Sequence, residues 1–161
     1  MSKSDSETVI VSETGLGEYQ VEARAGEATI LIDEPVEAGG LGAGPNPYNL
    51  LSAALGACTT MTIRLYAQRK GWPLRHVETA VRHTRVNLPA RDNFALEIVL
   101  DGDLDAGQRA RLMEIADKCP VHLTLARGSD VSATLLPPEA EVPPPVTGPG
   151  HVTGMVEACS D

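Results

Sequence analysis

Residues 46–72 read NPYNLLSAALGACTTMTIRLYAQRKGW, and the fold turns on this stretch. Asn46 suits a helix cap, and Pro47 suits the first helical position, where its missing N–H would have no partner anyway. Gly71 and Pro73 then stop the run. The pattern predicts a helix from Pro47 to about Lys70. Its first three turns are apolar nearly all round (Leu50, Leu51, Ala53, Ala54, Leu55, Ala57, Met61), which implies burial on most sides. Its last turn carries Arg64, Arg69 and Lys70, which favour the negative end of the helix and a solvated surface. One thin sheet cannot cover so apolar a helix, and a second subunit is the simple physical solution.

On the N-terminal side, Glu34–Pro47 is a loop crowded with glycine and proline. Before it, VIVSE and YQVEA flank TGLG (14–17), which reads as a hairpin turn, and ATILIDE after Gly26 supplies a third strand. The polar residues 1–7 are expected to be flexible. On the C-terminal side, HVETAVRHTRV (76–86) alternates as a strand, Pro89–Asn93 links it to a second at 95–100, and Asp105 with Gln108 forms a capping box for a second helix ending near Lys118. Pro120 restarts a short helix, and SDVSATL (129–135) reads as a last strand. From Pro137 to Gly150 the chain holds six prolines and no apolar periodicity, so 137–161 is expected to be a disordered tail on a single domain spanning 1–136. The fold class is therefore α+β, with antiparallel strands before a long buried central helix and further strands and a second helix after it.

Composition excludes some functions. With 22 Asp+Glu against 13 Lys+Arg and a formal charge of -9, the chain repels phosphates, which argues against nucleic acid. No CxxC, zinc ribbon or HExxH is present, so no metal and no cofactor is expected. The longest apolar run, LLSAALGAC, is about half of what a bilayer span needs, so no membrane partner is expected. Three cysteines behind a polar N-terminus fit a reducing, cytoplasmic protein.

The chemistry-bearing candidates are Cys58 and Cys119. A buried helical cysteine such as Cys58 commonly serves as a small hydrophobe. Thr59, Thr60 and Thr62 beside it are an odd choice for pure packing and suggest a polar pocket on one side; being mid-helix, Cys58 gains little from the dipole of its own helix. Cys119 precedes Pro120 and so falls at the cap of the short helix, where free N–H groups favour a thiolate. Lys118 adds positive charge and Asp117 offsets it. His122, three residues on, either touches that thiol or fills a surface or cap. Cys159, two residues from the end, reads as a chance terminal residue on a mobile tail.

Three segments, DEPVEAGG (33–40), GPNPYNLLSAALGACTTMTIRLYAQRKGWPL (44–74) and GDLDAGQRARLMEIADKCPVHLTL (102–125), together resemble the OsmC/Ohr family, in its OsmC-like branch. The resemblance spans most of residues 9–136. It implies an intertwined homodimer with two long central helices between sheets and active sites at the subunit interface. It also implies a thiol peroxidase for organic hydroperoxides. Cys58 matches the attacking cysteine, oxidised to a sulfenic acid, and Cys119 matches the resolving one, which closes a disulfide. A dithiol reductant follows, dihydrolipoyl groups on a lipoylated protein in the better-known members. Arg24, the only arginine in the first three strands, is the candidate for the family's activating arginine; Arg64 lies off the face of Cys58.

The family's orienting Glu has no counterpart here, since Asn49 or Tyr48 stands at the matching place, and Glu34 or Glu37 of the loop are the conceivable substitutes. An uncharged clamp would be weaker by on the order of 1–3 kcal/mol, about 10- to 100-fold in rate. Two alternatives therefore stand beside the peroxidase: a protein of the same fold with weak or no peroxidase activity that handles another electrophile or thiol ligand, and a non-catalytic dimeric binding module.

Overall fold

The structure, a computed structural model, describes residues 7–160; the expectation of flexible residues 1–6 lies outside them. Glu7 accepts a hydrogen bond from the Gly148 amide (3.1 Å). The chain forms two compact units, one of residues up to Leu50 with Asp130–Gly150, the other of Leu51–Ser129 with residues from His151 onward.

In the first unit, β1 (Ile10–Glu13), β2 (Val21–Ala25) and β3 (Ala28–Ile32) form an antiparallel meander, as the sequence implies. Glu13 pairs with Val21, so the first connection runs from 14 to 20 and is longer than a tight TGLG turn. Thr14 explains the difference: its Oγ1 accepts from the Leu16 amide (3.1 Å) and donates to Gln20 Oε1 (2.9 Å).

The loop after β3 is organised by one carboxylate. Asp33 is buried, and it accepts from the amides of Glu34 (2.8 Å), Leu41 (3.3 Å) and Ala43 (3.3 Å) and from Gln20 Nε2 (3.4 Å). Burial pushes its carboxyl upward, but these donors outweigh that and hold it below the usual carboxylate range. The glycines are needed for close approach, because a Cβ at Gly40 would strike the Glu34 carbonyl and one at Gly44 the Leu31 carbonyl.

The long helix, α1, spans Pro47–Lys70, as read from the sequence. Asn46 and Asn49 close a reciprocal cap: the Asn49 amide donates to Asn46 Oδ1 (2.8 Å), and the Asn46 amide donates to Asn49 Oδ1 (3.2 Å).

In the second unit, β4 (Leu74–Thr84) and β5 (Asn93–Gly102) form a long antiparallel hairpin in which Val77 faces Leu100, Val81 faces Leu96 and His83 faces Phe94. Next come α2 (Ala106–Ala116), with the expected Asp105–Gln108 capping box, and α3 (Pro120–Arg127), capped by Cys119 as expected. A closed core joins Ile63, Tyr66 and Ala67 of α1 to Leu74, Val77, Leu112 and Ile115.

Three expectations need correction. The chain is not wholly unstructured beyond 136: Gly150–Ala158 forms a helix, α4, whose Met155 is buried, and Cys159 just after it is buried in the closed core. Gly154 permits this packing, since a Cβ there would meet the Pro120 ring at 2.9 Å. The sequence hid α4 because GHVTGMVEA follows a proline-rich stretch and carries two glycines, which are poor helix formers. Second, 129–135 forms no strand; Val131 and Leu135 are 92% and 97% exposed, and no neighbouring strand pairs with them.

Third, α1 is not buried on most sides in the single chain. Leu55, Cys58, Thr59, Thr62, Ile63 and Tyr66 form one buried stripe, whereas Leu51 (42%) and Met61 (51%) stay exposed with Ala53, Ala54 and Ala57. The helix has the length and mean hydropathy, 1.2, of a membrane span, but its buried residues are claimed by side chains of the hairpin, α2 and α3.

Candidate functional site: a pair of thiols at one helix start

Cys58 and Cys119, sixty-one positions apart, meet in one buried cluster with Leu55. The arrangement follows from α3. Pro120 occupies its first position, so the first amides available to a ligand are those of Val121 and His122. Val121 N–H donates to Cys58 Sγ (3.4 Å) and His122 N–H donates to Cys119 Sγ (3.3 Å). Successive amides of one helix start thus hold one sulfur each. Cys58 lies mid-helix in α1, as the sequence implies, yet it receives an N-terminal amide from α3, which sequence spacing alone does not reveal. The positive end of a helix favours anions, thiolates included.

The two sulfurs differ in charge preference. Cys58 is pushed well up, first because its S–H is the donor to Cys119 and next because it is buried. Cys119 is drawn down below the ordinary thiol range, first by that bond from Cys58 and then, against the cost of burial, by the His122 amide and by Thr59, whose Oγ1 lies 3.6 Å from its sulfur. The pair therefore gives up its first proton readily and its second with great difficulty, as one thiolate and one thiol sharing a hydrogen.

The threonines beside Cys58 divide their tasks. Thr59 serves Cys119, Thr62 returns its hydroxyl to the Cys58 carbonyl (2.7 Å) and Thr60 contacts Thr79 (2.9 Å). Only the first touches sulfur.

Leu55, Phe94, Leu96 and Leu125 pack against or belong to the thiol cluster, and they also wall a cavity of about 210 Å³. Arg91, Asp92 and His122 line it too. Asp92 is gripped by Arg85 through two bonds (2.8 and 3.1 Å) and by His83 (2.6 Å). These partners, Arg85 first and His83 next, lower its pKa to about 2. His83 in turn lies against Phe94, ring centroids 4.8 Å apart. Sequence reading missed this network; the signal was the i, i+2 placement of His83 near the end of β4 and Arg85 just beyond it, with an acidic residue just before β5 on the other side of the hairpin turn.

The other candidates belong to other elements or have other partners. Arg24 is an exposed residue of β2, in the first unit. Asn49 gives its side chain to the α1 cap. Glu34 and Glu37 lie in the first unit's loop. Arg64 spends its guanidinium on the carbonyls of Leu74 (2.5 Å) and Arg75 (3.1 Å). Cys159, read as a chance terminal residue, is buried and places its sulfur 3.6 Å from the Thr62 carbonyl. Among the described residues, no group of three or more His, Cys, Asp or Glu is arranged to hold a metal ion.

Comparison with known proteins identifies the family. Residues 39–134, more than half of the chain, match the family model described as OsmC-like protein. The chain belongs to the OsmC-like family. Solved structures agree in fold. An OsmC-like protein from Mycoplasma pneumoniae is 22% identical, with a TM-score of 0.60 over 78% of this chain and 89% of that one. An organic hydroperoxide resistance protein, OsmC, from Legionella pneumophila is 22% identical, with a TM-score of 0.59 over 74% and 88%. The organic hydroperoxide resistance protein OhrB of Bacillus subtilis is 21% identical, with a TM-score of 0.52 over 74% and 90%. No curated protein matches the sequence.

Proposed function

We propose that the chain is a thiol-dependent peroxidase for organic hydroperoxides, with Cys58 and Cys119 as its redox couple. The observation that carries this reading is the pairing of the two sulfurs on the successive amides of Val121 and His122. Packing alone gives no reason to aim two backbone donors at two sulfurs; holding a thiolate beside a second thiol does. Membership of a family whose solved relatives include organic hydroperoxide resistance proteins points the same way.

The cycle balances as follows. The Cys58 thiolate attacks the distal oxygen of R–O–O–H, the O–O bond breaks, and Cys58 becomes a sulfenic acid as RO⁻ departs. Cys119 then attacks the sulfenic sulfur as it gives up the shared proton, closing a disulfide while the sulfenic hydroxyl leaves as water. A dithiol, such as a dihydrolipoyl group on a partner protein, reduces that disulfide by exchange and leaves as its own disulfide.

At rest the negative charge belongs on Cys119, whereas family resemblance assigns the attack to Cys58. Both hold if the shared proton crosses from Cys58 to Cys119 as peroxide arrives. Arg24 is retained as the activating cation on resemblance alone. The apolar cavity walls favour alkyl tails over hydrogen peroxide, because a tail gains by leaving water.

A second copy of the chain is the proposed partner. Supporting it, the uncovered face of α1 and the adjoining strand β4 line an open groove of about 430 Å³ formed largely by small residues, Ala53, Gly56, Ala57 and Thr60 among them. The acidic charge speaks against nucleic acid. The absence of a Cys58–Cys119 disulfide supports a reducing compartment, for which the cytoplasm is the proposal.

A second reading rests on Asn49. With its carboxamide held in the helix cap and no family carboxylate in its place, the protein would be a weak peroxidase, or one that captures another thiol-reactive ligand. Rates of cumene hydroperoxide consumption with dihydrolipoamide separate the readings. The peroxidase reading expects turnover that both Cys58→Ser and Cys119→Ser abolish; turnover indistinguishable from that of the double variant contradicts it.

A further inference from the structure

The backbone treats the two sulfurs alike. Each accepts one amide of the α3 start, Cys58 from Val121 (3.4 Å) and Cys119 from His122 (3.3 Å), and both side chains are buried. The strands packed against the pair present Val81, Phe94 and Leu96, all apolar. None of these groups decides which sulfur carries the negative charge. The charge of the His122 ring acts on Cys119, but it is the weakest of the influences there.

Thr59 breaks the symmetry. A threonine inside a helix commonly returns its hydroxyl to the carbonyl four residues back, and Thr62 does so, to Cys58 (2.7 Å). Thr59 does not. Its side chain is fully buried, and among the described residues its hydroxyl has one partner, the Cys119 sulfur at 3.6 Å. A buried hydroxyl bound to nothing but sulfur gives Cys119 a donor that Cys58 lacks. A hydroxyl also accepts, so the contact survives when Cys119 takes a proton.

We infer that Thr59 holds the resting charge on Cys119 and so divides the peroxide cycle between the two sulfurs, restraining attack by Cys58 and favouring closure by Cys119. For attack, the shared proton passes to Cys119 as the Cys58 thiolate takes the distal oxygen and RO⁻ departs. For closure, Cys119 gives that proton up as it bonds to the sulfenic sulfur, whose hydroxyl leaves as water. The Thr59 donor opposes the first transfer and assists the second. This inference rests on the peroxidase reading and assigns a residue to the balance of its two steps.

Thr59→Val keeps the shape and removes the hydroxyl, and Thr59→Ser keeps the hydroxyl. Substoichiometric iodoacetamide, mapped by mass spectrometry, reads where the charge rests without any peroxide. The native chain and Thr59→Ser are expected to label mainly at Cys119. In Thr59→Val the ratio of Cys119 to Cys58 labelling is expected to fall by about 10-fold, the low end for a hydrogen bond to a charged group because the contact to sulfur is long. An unchanged ratio overturns the inference and leaves the peroxidase reading intact.

Single-turnover oxidation by cumene hydroperoxide, with dimedone trapping, reads the two steps. In Thr59→Val the sulfenic acid is expected to form faster and to close to the disulfide about 10-fold more slowly. A merely structural role would slow both steps together, or neither, and either result contradicts the inference. Should the valine variant not fold, Thr59→Ala removes the same hydroxyl and is held to the same outcomes. A native chain that consumes no peroxide overturns the peroxidase reading and with it the division of steps, while the alkylation ratio still decides where Thr59 holds the charge.

Discussion

Two apolar clusters share the second unit, and each contains cysteine. In the larger one, around Ile63, Leu112 and Ile115, the sulfur of Cys159 points at a carbonyl, that of Thr62. A thiol there is a donor, and a thiolate would face a like partial charge. In the smaller one, the sulfurs of Cys58 and Cys119 each accept from an amide, so a thiolate is welcome. All three side chains are buried. What separates the two settings is therefore the polarity of the backbone group each thiol meets, not its burial. The large cluster is closed; the small one borders a cavity.

The largest expected effect belongs to the small cluster. Cys119→Ser should abolish disulfide formation and leave Cys58 as a trappable sulfenic acid after one peroxide equivalent, read by dimedone labelling and mass spectrometry. An unlabelled Cys58 would break the contrast. Next comes Leu112→Ala, which empties part of the closed core and should cost about 2–5 kcal/mol in urea unfolding while thiol reactivity per folded molecule stays the same.

The pH dependence of alkylation sharpens the comparison further. Because Cys119 lies below the ordinary thiol range and Cys58 above it, one equivalent of iodoacetamide should react with a step below the free-cysteine value of about 8.5, the second thiol lagging far above. The charged form of Cys119 is favoured in the fold, so its contribution to stability is present above the unfolded value and is lost as pH falls through the folded one. Cys159→Ser should be milder, costing about 1 kcal/mol of thermal stability without altering peroxide consumption. Asn49→Glu can still cap α1, and a restored clamp should raise peroxide consumption by up to about 10- to 100-fold; no gain would count against a weakened clamp.

Much of the fold was legible because it depends on local signals. Pro47 and Gly71 bound α1, Asp105 and Gln108 open α2, and Pro120 sets Cys119 at a cap. Contacts across the sequence were not legible. Nothing near Cys58 announces an amide from Val121, and nothing in DEPVEAGG marks Asp33 as the hub of its loop. Asp92 lies seven and nine positions from its partners Arg85 and His83 and meets them only because the hairpin folds back. Composition misled at the C-terminus, where six prolines masked a helix whose Met155 is buried and whose end carries the buried Cys159. The exposed face of α1 shows the converse, since its apolar residues were legible yet Leu51 and Met61 stay exposed.

The claim on which the rest stands is that Cys58 and Cys119 are oxidised together while Cys159 is spared. Treating the anaerobically reduced chain with one equivalent of cumene hydroperoxide and mapping its disulfides by mass spectrometry tests it directly. The account predicts the loss of two thiols, a Cys58–Cys119 linkage and an unmodified Cys159; three intact thiols, or a linkage through Cys159, would contradict it.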